Sequence, residues 1–422
     1  MRRGWCALLE DAGVWAHIDL SASCSVSPRF LAVSRLALAL LRAACLRAKG
    51  DLQSVDISGV HEGDDGVDNP FVLPWLDLGV PFVQRWLDSA SAADKASLRD
   101  LVAPTSFWHD DEQVTAVCRA LPLCRVHCFV YCTAEEALPL LRREPPFALL
   151  TIDDFHARNG TEQALLDLAS ALSVYEGMDR LSLSASPLAA RAVVDAVVDA
   201  AISGGIKDTF FGGCDLSQTA LPALGRLLQS AGFGGLSVHN SGRTLFEGPA
   251  LPAFFEALRK SKSLRMLWLE DVNLWADVAV ATQLIGTLEG FQQGLWLSNN
   301  RTDGTPAMQR AAGECLARLS ARSRNLRILD LSGNALGETG LAPIFQALNG
   351  SKTLVELRLY QRFSADFARD VVLPAVRANT SLRKLEGVNT VDAYEEEMDQ
   401  DPSLREVKDI LEACKLADED AA

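Results

Sequence analysis

Positive charge is scarce in this sequence. Its 422 residues include 40 Lys and Arg against 55 Asp and Glu, so the formal net charge is -15. Nucleic acids and anionic lipid surfaces attract proteins through clustered basic residues. We therefore expect no nucleic acid and no membrane among the partners, and a basic or neutral protein surface instead.

Long apolar segments are also missing. The start, MRRGWCALLED, has no apolar signal core, and the longest apolar run, FLAVSRLALALLRAACLRA, is interrupted by Arg35 and Arg42. A membrane span needs roughly 20 apolar residues. We predict a cytoplasmic or nuclear protein whose ten cysteines stay reduced. Its four Asn-x-Ser/Thr sites, at 159, 300, 349 and 379, would then not be glycosylated.

Recognisable catalytic motifs are absent from the sequence. It contains no G-x-S-x-G elbow, P-loop, dinucleotide fingerprint or H-E-x-x-H, and its six histidines are scattered. Asp153, Asp154 and His156 in TIDDFH could suggest acid/base or metal chemistry, but they fall where a predicted strand ends and polar residues are ordinary. We predict a protein without enzymatic activity or cofactor.

One cysteine-rich segment, CRALPLCRVHCFVYC, invites a zinc interpretation. A structural zinc site usually shows two separated short pairs such as C-x-x-C. Here Cys124, Cys128 and Cys132 are spaced by four along a predicted strand and turn, with Cys118 and His127 nearby. Cysteine also fills small buried positions well. We expect no metal site, and analysis of the metal content would decide between the two interpretations.

A recurring leucine pattern is the main positive feature. In the segment NLRILDLSGNALGETGLAPIFQAL, leucines stand at an anchor, three residues later and five residues later. The same spacing recurs downstream and upstream, and the steps from Leu326 to Leu354 and from Leu354 to Leu382 are both 28 residues. The anchors of these copies are Leu264, Leu267, Leu269; Leu326, Leu329, Leu331; Leu354, Leu357, Leu359; and Leu382, Leu385.

Degenerate copies extend the pattern towards the N-terminus. They begin at Leu52, Leu98, Leu123, Phe147, Met178, Ile206, Phe233 and Gln292. With them we count about eleven units over 51-390, and Thr209 and Gly387 depart from the pattern. After each strand-like half, apolar residues recur at three and four, as in TGLAPIFQALNG, which predicts a helix. One strand and one helix per unit is typical of leucine-rich repeats.

The pattern resembles the ribonuclease-inhibitor-like leucine-rich repeat family. The motif L-x-x-L-x-L is followed by an asparagine that we place at Asn240, Asn273 and Asn334. The resemblance implies an α/β solenoid, or horseshoe, with a parallel β-sheet on the concave face and helices on the convex face. It also implies that the asparagine side chain bonds to the backbone where the chain leaves the strand.

The two ends do not fit the repeat. Residues 1-50 contain an apolar set including Trp5, Leu8 and Trp15, which resembles the closing part of an F-box. That resemblance implies a substrate receptor of a cullin-RING ubiquitin ligase, with the ligase adaptor as an N-terminal partner; the alternative is a plain helical cap. Residues 391-422 are acidic and then helical, and we predict a C-terminal capping helix.

The outward positions of the strands are the candidate binding residues. Side chains alternate along a strand, so the residue between the last two anchors faces away from the helices. Trp268 and Trp296 occupy this position in adjacent units and should be exposed neighbours. With polar residues around them they form the candidate partner-binding set: Phe210, His239, Trp268, Glu270, Trp296, Ser298, Asp330, Arg358 and Tyr360.

These features predict a non-enzymatic protein-protein interaction scaffold that holds a protein partner on its concave face. Substrate recognition for a ubiquitin ligase is the specific form that the F-box resemblance implies. The alternatives are a direct regulator of an enzyme, similar to a nuclease inhibitor or a GTPase-activating protein, and a structural subunit of a larger assembly.

Overall fold

The structure, a computed structural model, describes most of the chain after residue 124 and three short strands before it. The described residues are 17-19, 54-56, 100-103, 125-141, 150-158, 160-175, 178-186, 188, 190-239, 245-291, 293-390 and 401-421. The chain divides into two compact units, of which the first comprises 1-157 with 175-180 and the second comprises 158-174 with 181-422. In the described part, no helix is long and apolar enough to cross a membrane.

The strands follow one another through both units. They are β1 (His17–Asp19), β2 (Ser54–Asp56), β3 (Asp100–Ala103), β4 (Arg125–Thr133), β5 (Leu150–Arg158), β6 (Met178–Ser184), β7 (Asp208–Gly212), β8 (Gly235–His239), β9 (Met266–Glu270), β10 (Gln293–Trp296), β11 (Leu326–Asp330), β12 (Glu356–Phe363) and β13 (Lys384–Thr390). In the first unit β1 to β4 pair in chain order, all parallel. In the second unit β7 to β13 do the same.

Helices connect the strands. They are α1 (Ala134–Leu141), α2 (Glu162–Leu172), α3 (Arg191–Ser203), α4 (Leu221–Leu228), α5 (Leu251–Lys260), α6 (Val278–Thr287), α7 (Pro306–Arg322), α8 (Gly337–Ala347), α9 (Ala365–Phe367), α10 (Leu373–Ala378) and α11 (Pro402–Ala421). A π-helical turn, Ala368–Val372, joins α9 to α10. The mixed α/β class with parallel strands is as predicted.

The predicted leucine register is present in the second unit. The second anchors of successive copies pair directly, with Leu236 opposite Leu267, Leu295 opposite Leu267 and Leu329, and Leu357 opposite Leu329. All five of these leucines are buried. Because alternate residues of a strand point to opposite faces, this register sends the residues between the anchors to the other face of the sheet.

The helical halves bury the apolar face that their spacing predicts. In α8 and the 3-10 turn that follows it, Leu341, Ile344, Phe345 and Leu348 are fully buried, and the turn ends at Gly350. In α4 and α5 a proline occupies the first turn, where its missing N–H leaves no helical hydrogen bond unmade. The strand-helix alternation therefore follows from the sequence pattern.

The turns that leave the strands need a left-handed residue. The residue seven positions after the first anchor has a positive φ in five copies: Ala185, Gly213, Asp271, Asn299 and Gly333. Glycine, asparagine and aspartate tolerate this conformation best, and four of the five positions hold one of them. The residue type one position before the motif asparagine therefore indicates where the chain turns.

Two asparagines satisfy the backbone at these turns, and only one of them was predicted. Asn334 is buried, and its amide donates to the carbonyl oxygens of Leu297 (2.7 Å) and Leu331 (2.8 Å). Asn300, not predicted for this role, is fully buried and donates to Leu269 O at 2.7 Å. Its Oδ1 accepts from the N–H groups of Val272 and Leu274 at 3.0 and 3.2 Å.

The prediction for Asn273 is therefore wrong. Asn273 is exposed with a φ of 55°, one position beyond the motif asparagine, whose place is taken by the buried Val272. In this repeat the backbone N–H groups of the turn bond instead to Asn300 of the following repeat. Asn240 lies outside the described residues.

The terminal predictions fare differently. Helix α11 buries Leu404, Val407 and Leu411 and packs on α10 and β13, so the predicted C-terminal helix is present. Residues 391-400 are outside the described part. In 1-50 only β1 is described, so the F-box-like segment and the cap interpretation both stay predictions.

Replacing Asn300 by alanine should destabilise the fold. The substitution removes the acceptor of two buried N–H groups and the donor to a buried carbonyl, which costs about 1–3 kcal/mol when such groups stay unsatisfied. Urea denaturation would measure the free energy of unfolding. The matched control is Asn349→Ala at an exposed position, expected to stay within about 0.5 kcal/mol of wild type. Equal effects of the two substitutions would contradict the role of Asn300.

Candidate functional site

The outward residues of β7 to β13 form one continuous row. Hydrogen-bonded register pairs each member with the next along the sheet, so the predicted alignment is present across all seven strands. In order the row reads Phe210, Ser237, Trp268, Trp296, Asp330, Arg358 and Glu386. Neighbouring strands lie about 4.8 Å apart, which is close enough for side chains such as Trp268 and Trp296, or Arg358 and Glu386, to touch across the row. We call this row and its outward neighbours on the same strands the outer sheet face.

Trp268 and Trp296 stack at the centre of the outer sheet face. Their ring centroids are 5.7 Å apart and the ring planes are inclined by 24°. Trp268 is 39% exposed, and Met266, two residues earlier on the same face, is 38% exposed. Trp268 is therefore exposed, as expected, whereas Trp296 is half-buried.

Glycine provides the seat for the Trp296 ring. Gly294 precedes Trp296 by two residues and so points to the same face of β10, and a Cβ built on it would overlap the indole ring. The same arrangement occurs on β7, where a Cβ on Gly212 would lie 2.6 Å from the Phe210 ring. A glycine two residues along the strand lets each ring lie flat against the backbone.

A hydrogen bond orients the second tryptophan. Trp268 Nε1 donates to Ser298 Oγ at 3.2 Å. Ser298 is only 7% exposed, so it holds the indole from beneath. Ser298 thus borders the tryptophan pair, as expected, and the indole that it binds helps to cover it. The orientation of the Trp268 indole is thus fixed by a contact within the chain.

Polar residues border the pair at the ends of the strands. Glu270 Oε1 accepts from Asn299 Nδ2 at 2.8 Å, and His239 pairs with Glu270 in the strand register. His239 Nε2 lies 3.9 Å from Asp271 Oδ2. His239 and Glu270 are therefore side by side at the border of the face, as predicted.

An ion-pair cluster occupies β11 to β13. Arg358 Nε lies 2.6 Å from Glu356 Oε1 and 3.0 Å from Glu386 Oε2, whereas its Nη1 is 3.9 Å from Asp330 Oδ2. Lys384 Nζ contacts Glu356 at 3.2 Å and Glu386 at 2.5 Å. Three carboxylates thus share two cations, which leaves the cluster with one net negative charge.

Asp330 lies deeper than predicted. The residue is only 7% exposed. Its Oδ1 accepts from the backbone N–H of Ser332 at 2.9 Å and also from the Ser332 hydroxyl. Asp330 therefore closes the turn after β11 and contributes its charge to the outer sheet face beside Trp296.

Protonation of this cluster is shifted at Glu356. Partial burial raises the pKa of this carboxyl, but hydrogen bonds from Arg358 and Lys384 outweigh burial, so its pKa lies below the ordinary value of 4.5. Hydrogen bonds to Glu386 and Glu356 likewise hold the pKa of the Lys384 ammonium above its ordinary value. Both shifts favour the charged forms of Glu356 and Lys384.

Tyr360 marks a break in the ladder. It is 66% exposed and has a φ of 43°, which an aromatic residue seldom adopts. The register between β12 and β13 shifts between Arg358 and Gln361, and Gly387, also at positive φ, lies against the Tyr360 backbone. This bulge explains why the motif fades at Gly387, since the buried Val388 follows it.

The structure thus brings all nine predicted residues to the outer sheet face or its border. Sequence reasoning missed four further residues there: Met266, Gly294, Glu356 and Lys384. All four precede a member of the row by two positions, and Lys384 also pairs with Glu356 in the strand register. Counting two residues back from each row member, to the preceding residue on the same face of the strand, would have identified them.

The suspected chemical groups fall largely outside the described part. The cluster residues Cys118 and Cys124, and the side chains of His127, Cys128, Asp153, Asp154 and His156, are among those not described. Cys132 is buried. Among the side chains that the structure does describe, no three His, Cys, Asp or Glu residues are grouped so as to hold a metal ion.

Family models give no match to this chain, and neither do curated proteins. Two solved structures are similar to parts of it. The actin-binding site 2 of leiomodin-1 aligns at 18% identity and a TM-score of 0.26, over 47% of this chain and 91% of that one. The TLR13 chain from a complex with ssRNA13 aligns at 14% identity and a TM-score of 0.29, over 75% of this chain and 36% of the receptor chain. TM-scores this low establish no shared fold.

Replacing Gly294 by alanine should displace Trp296 and disrupt the indole stack. The new methyl group would occupy the space of the ring, and Gly294 is not at positive φ, so the backbone itself tolerates alanine. The near-ultraviolet circular dichroism of the coupled indoles should diminish. Gly286→Ala is the matched control, because its Cβ would meet nothing within 4 Å. An unchanged spectrum for Gly294→Ala would argue against the seat.

Glu356→Gln should cost stability in a pH-dependent way. The folded pKa of Glu356 lies below 4.5, so its charge stabilises the fold above that pH and the contribution is lost as pH falls through the folded value. We expect the variant to be about 1–2 kcal/mol less stable at neutral pH, and the difference to shrink below 4.5. Urea titrations over a pH series measure it. Glu314→Gln, exposed on α7, should show no such pH dependence.

Proposed function

We propose that this protein is a non-enzymatic leucine-rich-repeat solenoid that binds a protein partner through its outer sheet face, the concave face of such a fold. The stacked tryptophan pair, in which Trp268 is exposed and Trp296 is half-buried, is the observation that carries the proposal. An exposed tryptophan pair lowers solubility unless a partner covers it, and tryptophan is enriched among the residues that dominate binding energy.

The repeat assignment has its own support. Copies 28 residues apart place equivalent leucines opposite one another in parallel strands, as at Leu329 and Leu357. Buried asparagine amides bond to strand-exit carbonyls at Asn300 and Asn334. Both features are what the leucine-rich-repeat resemblance implies.

The surface is also prepared for binding. The Trp296 ring rests on Gly294, and the Trp268 indole is held by Ser298. Rings that are already ordered lose little conformational entropy when a partner covers them. Of the large hydrophobic residues described as exposed, Met266, Trp268 and Tyr360 all lie on strands β9 and β12 of this face.

The double substitution Trp268→Ala with Trp296→Ala should abolish partner capture without unfolding the protein. Hot-spot tryptophans contribute about 2 kcal/mol or more each, so capture should fall by more than about tenfold. The stacking itself is worth only about 0.5–1.5 kcal/mol, so the thermal melt should shift by a few degrees. Quantitative affinity purification from native cells and calorimetry measure the two effects.

Exposed apolar residues elsewhere supply the control. Val174→Ala and Leu416→Ala remove apolar surface at positions away from the outer sheet face and should leave capture unchanged. A collapsed melt in the tryptophan variant would mean that the pair is structural. Capture that survives the loss of both indoles would refute the proposal.

The identity of the captured proteins would distinguish between a ubiquitin-ligase receptor, a direct regulator of an enzyme and a structural subunit. Recovery of a ligase adaptor and a cullin would support the receptor role that the F-box-like segment implies. A nuclease or small GTPase would support a direct regulator, and stoichiometric retention in a large complex would support a structural subunit.

A further inference from the structure

We infer that the segment bound at the tryptophan pair is basic and that it places an arginine side chain against the exposed Trp268 indole. This inference rests on the proposed function and specifies the chemistry of the partner. Three features of the outer sheet face support it: the aromatic surface, the fixed ring orientation and the surrounding charge.

The aromatic surface suits a cation. An indole attracts a guanidinium placed within about 6 Å of its ring, and tryptophan is the strongest such partner among the aromatic side chains. Trp268 stacks on Trp296 and still keeps 39% of its surface exposed. The neighbouring Met266 is exposed as well, so the aliphatic stem of an arginine has an apolar surface to pack against.

The indole orientation matters because cation binding is directional. The Trp268 ring is held by its Nε1 bond to Ser298 and by the Trp296 ring, which in turn rests on Gly294. Neither indole can turn its edge outward without losing one of these contacts. The surface offered to a partner is therefore constant.

Charge around the pair is negative. On one side, the cluster of β11 to β13 keeps one net negative charge, and its member Asp330 is the direct register neighbour of Trp296. On the same strand as Trp268, Glu270 projects from the same face and forms no ion pair with the part of the chain that the structure describes. This negative potential would attract a basic segment and raise its rate of association.

Most of the nearby cations are offset by carboxylates, and the exposed Arg327 lies near the start of β11, whereas Glu270 is the last residue of β9. Arg358 and Lys384 are engaged by Glu356 and Glu386. At the start of the strands, Arg265 and Asp208 both lie beside Gly234, so these two opposite charges offset each other. The outward positions of β8, β9 and β10 contain no lysine or arginine. An acidic segment would meet repulsion here, whereas a basic one would gain both charge and cation–π contacts.

Three synthetic peptides test the inference on the full-length protein. Each is an alternating pentapeptide with leucine, blocked at both ends and labelled with a fluorophore, and the other residue is arginine, its uncharged isostere citrulline, or glutamate. Fluorescence anisotropy measures the affinities. We expect the arginine peptide to bind at least about tenfold more tightly than the citrulline peptide, with an affinity that falls as salt is raised.

Variants localise the binding. Trp268→Leu keeps an apolar side chain but removes the π face, and should weaken the arginine peptide at least about fivefold while leaving the citrulline peptide unchanged. Glu270→Gln should weaken the arginine peptide alone. Glu314→Gln removes one exposed carboxylate from α7 and should have no effect, which controls for net charge.

Several outcomes overturn the inference. Equal affinity for the arginine and citrulline peptides, tighter binding of the glutamate peptide, or no binding of the arginine peptide would each do so. If native partner capture still depends on the tryptophan pair in any of these cases, the proposed function stands and only the basic chemistry is wrong. If the variant that lacks both indoles still captures its partner, the proposed function itself is wrong.

Discussion

Side-chain alternation along parallel strands in register is the constraint on which the second unit depends. From β8 to β13 the anchor leucines lie opposite one another, and those of β8 to β12 are buried. Every residue between two anchors must then face the other way. The same pairing that builds the core therefore aligns Phe210, Trp268, Trp296 and Arg358 on one face. A slip of one residue would exchange core and surface.

The turns at the strand ends protect this register. Each turn leaves backbone groups inside the protein that no strand partner satisfies, and such groups are costly when unpaired. Asn300 and Asn334 satisfy such groups, because each donates to carbonyl oxygens of its own repeat and of the preceding repeat. The bonds reach across units, so one asparagine stabilises two turns. The left-handed residue just before each asparagine, Asn299 and Gly333, lets the chain bend there.

Much of this could be predicted from the sequence because it depends on periodicity. The spacing of leucines predicts strands, register and the outward row, and the spacing in α8 predicts which side chains the helix buries. Errors arose where a single residue of offset decides the outcome. Asn273 stands one position too late and is exposed, whereas Asn300 of a less regular copy has the correct offset and is buried. Anchor-to-asparagine distance, counted strictly, would have separated them.

Other features depend on contacts between strands that periodicity does not encode. Ser298 and Asp330 are buried because the Trp268 indole binds one and the turn after β11 binds the other. The bulge at Tyr360 arises from a register shift that no leucine spacing signals. The Gly294 seat depends on the conformation of the Trp296 side chain as well as on the strand.

The ordering of the aromatic pair has a consequence for how specificity can arise on such a surface. A flexible apolar patch would accept many partners, because it can repack against each of them. Here glycine, serine and the stacked rings fix the indoles, and fixed carboxylates surround them. Selection against an unsuitable segment then needs no steric clash, since an acidic or bulky polar side chain would lose solvation without finding a partner. Under the proposed function, the fixed rings beside the Glu270 carboxylate would favour a segment that carries positive charge.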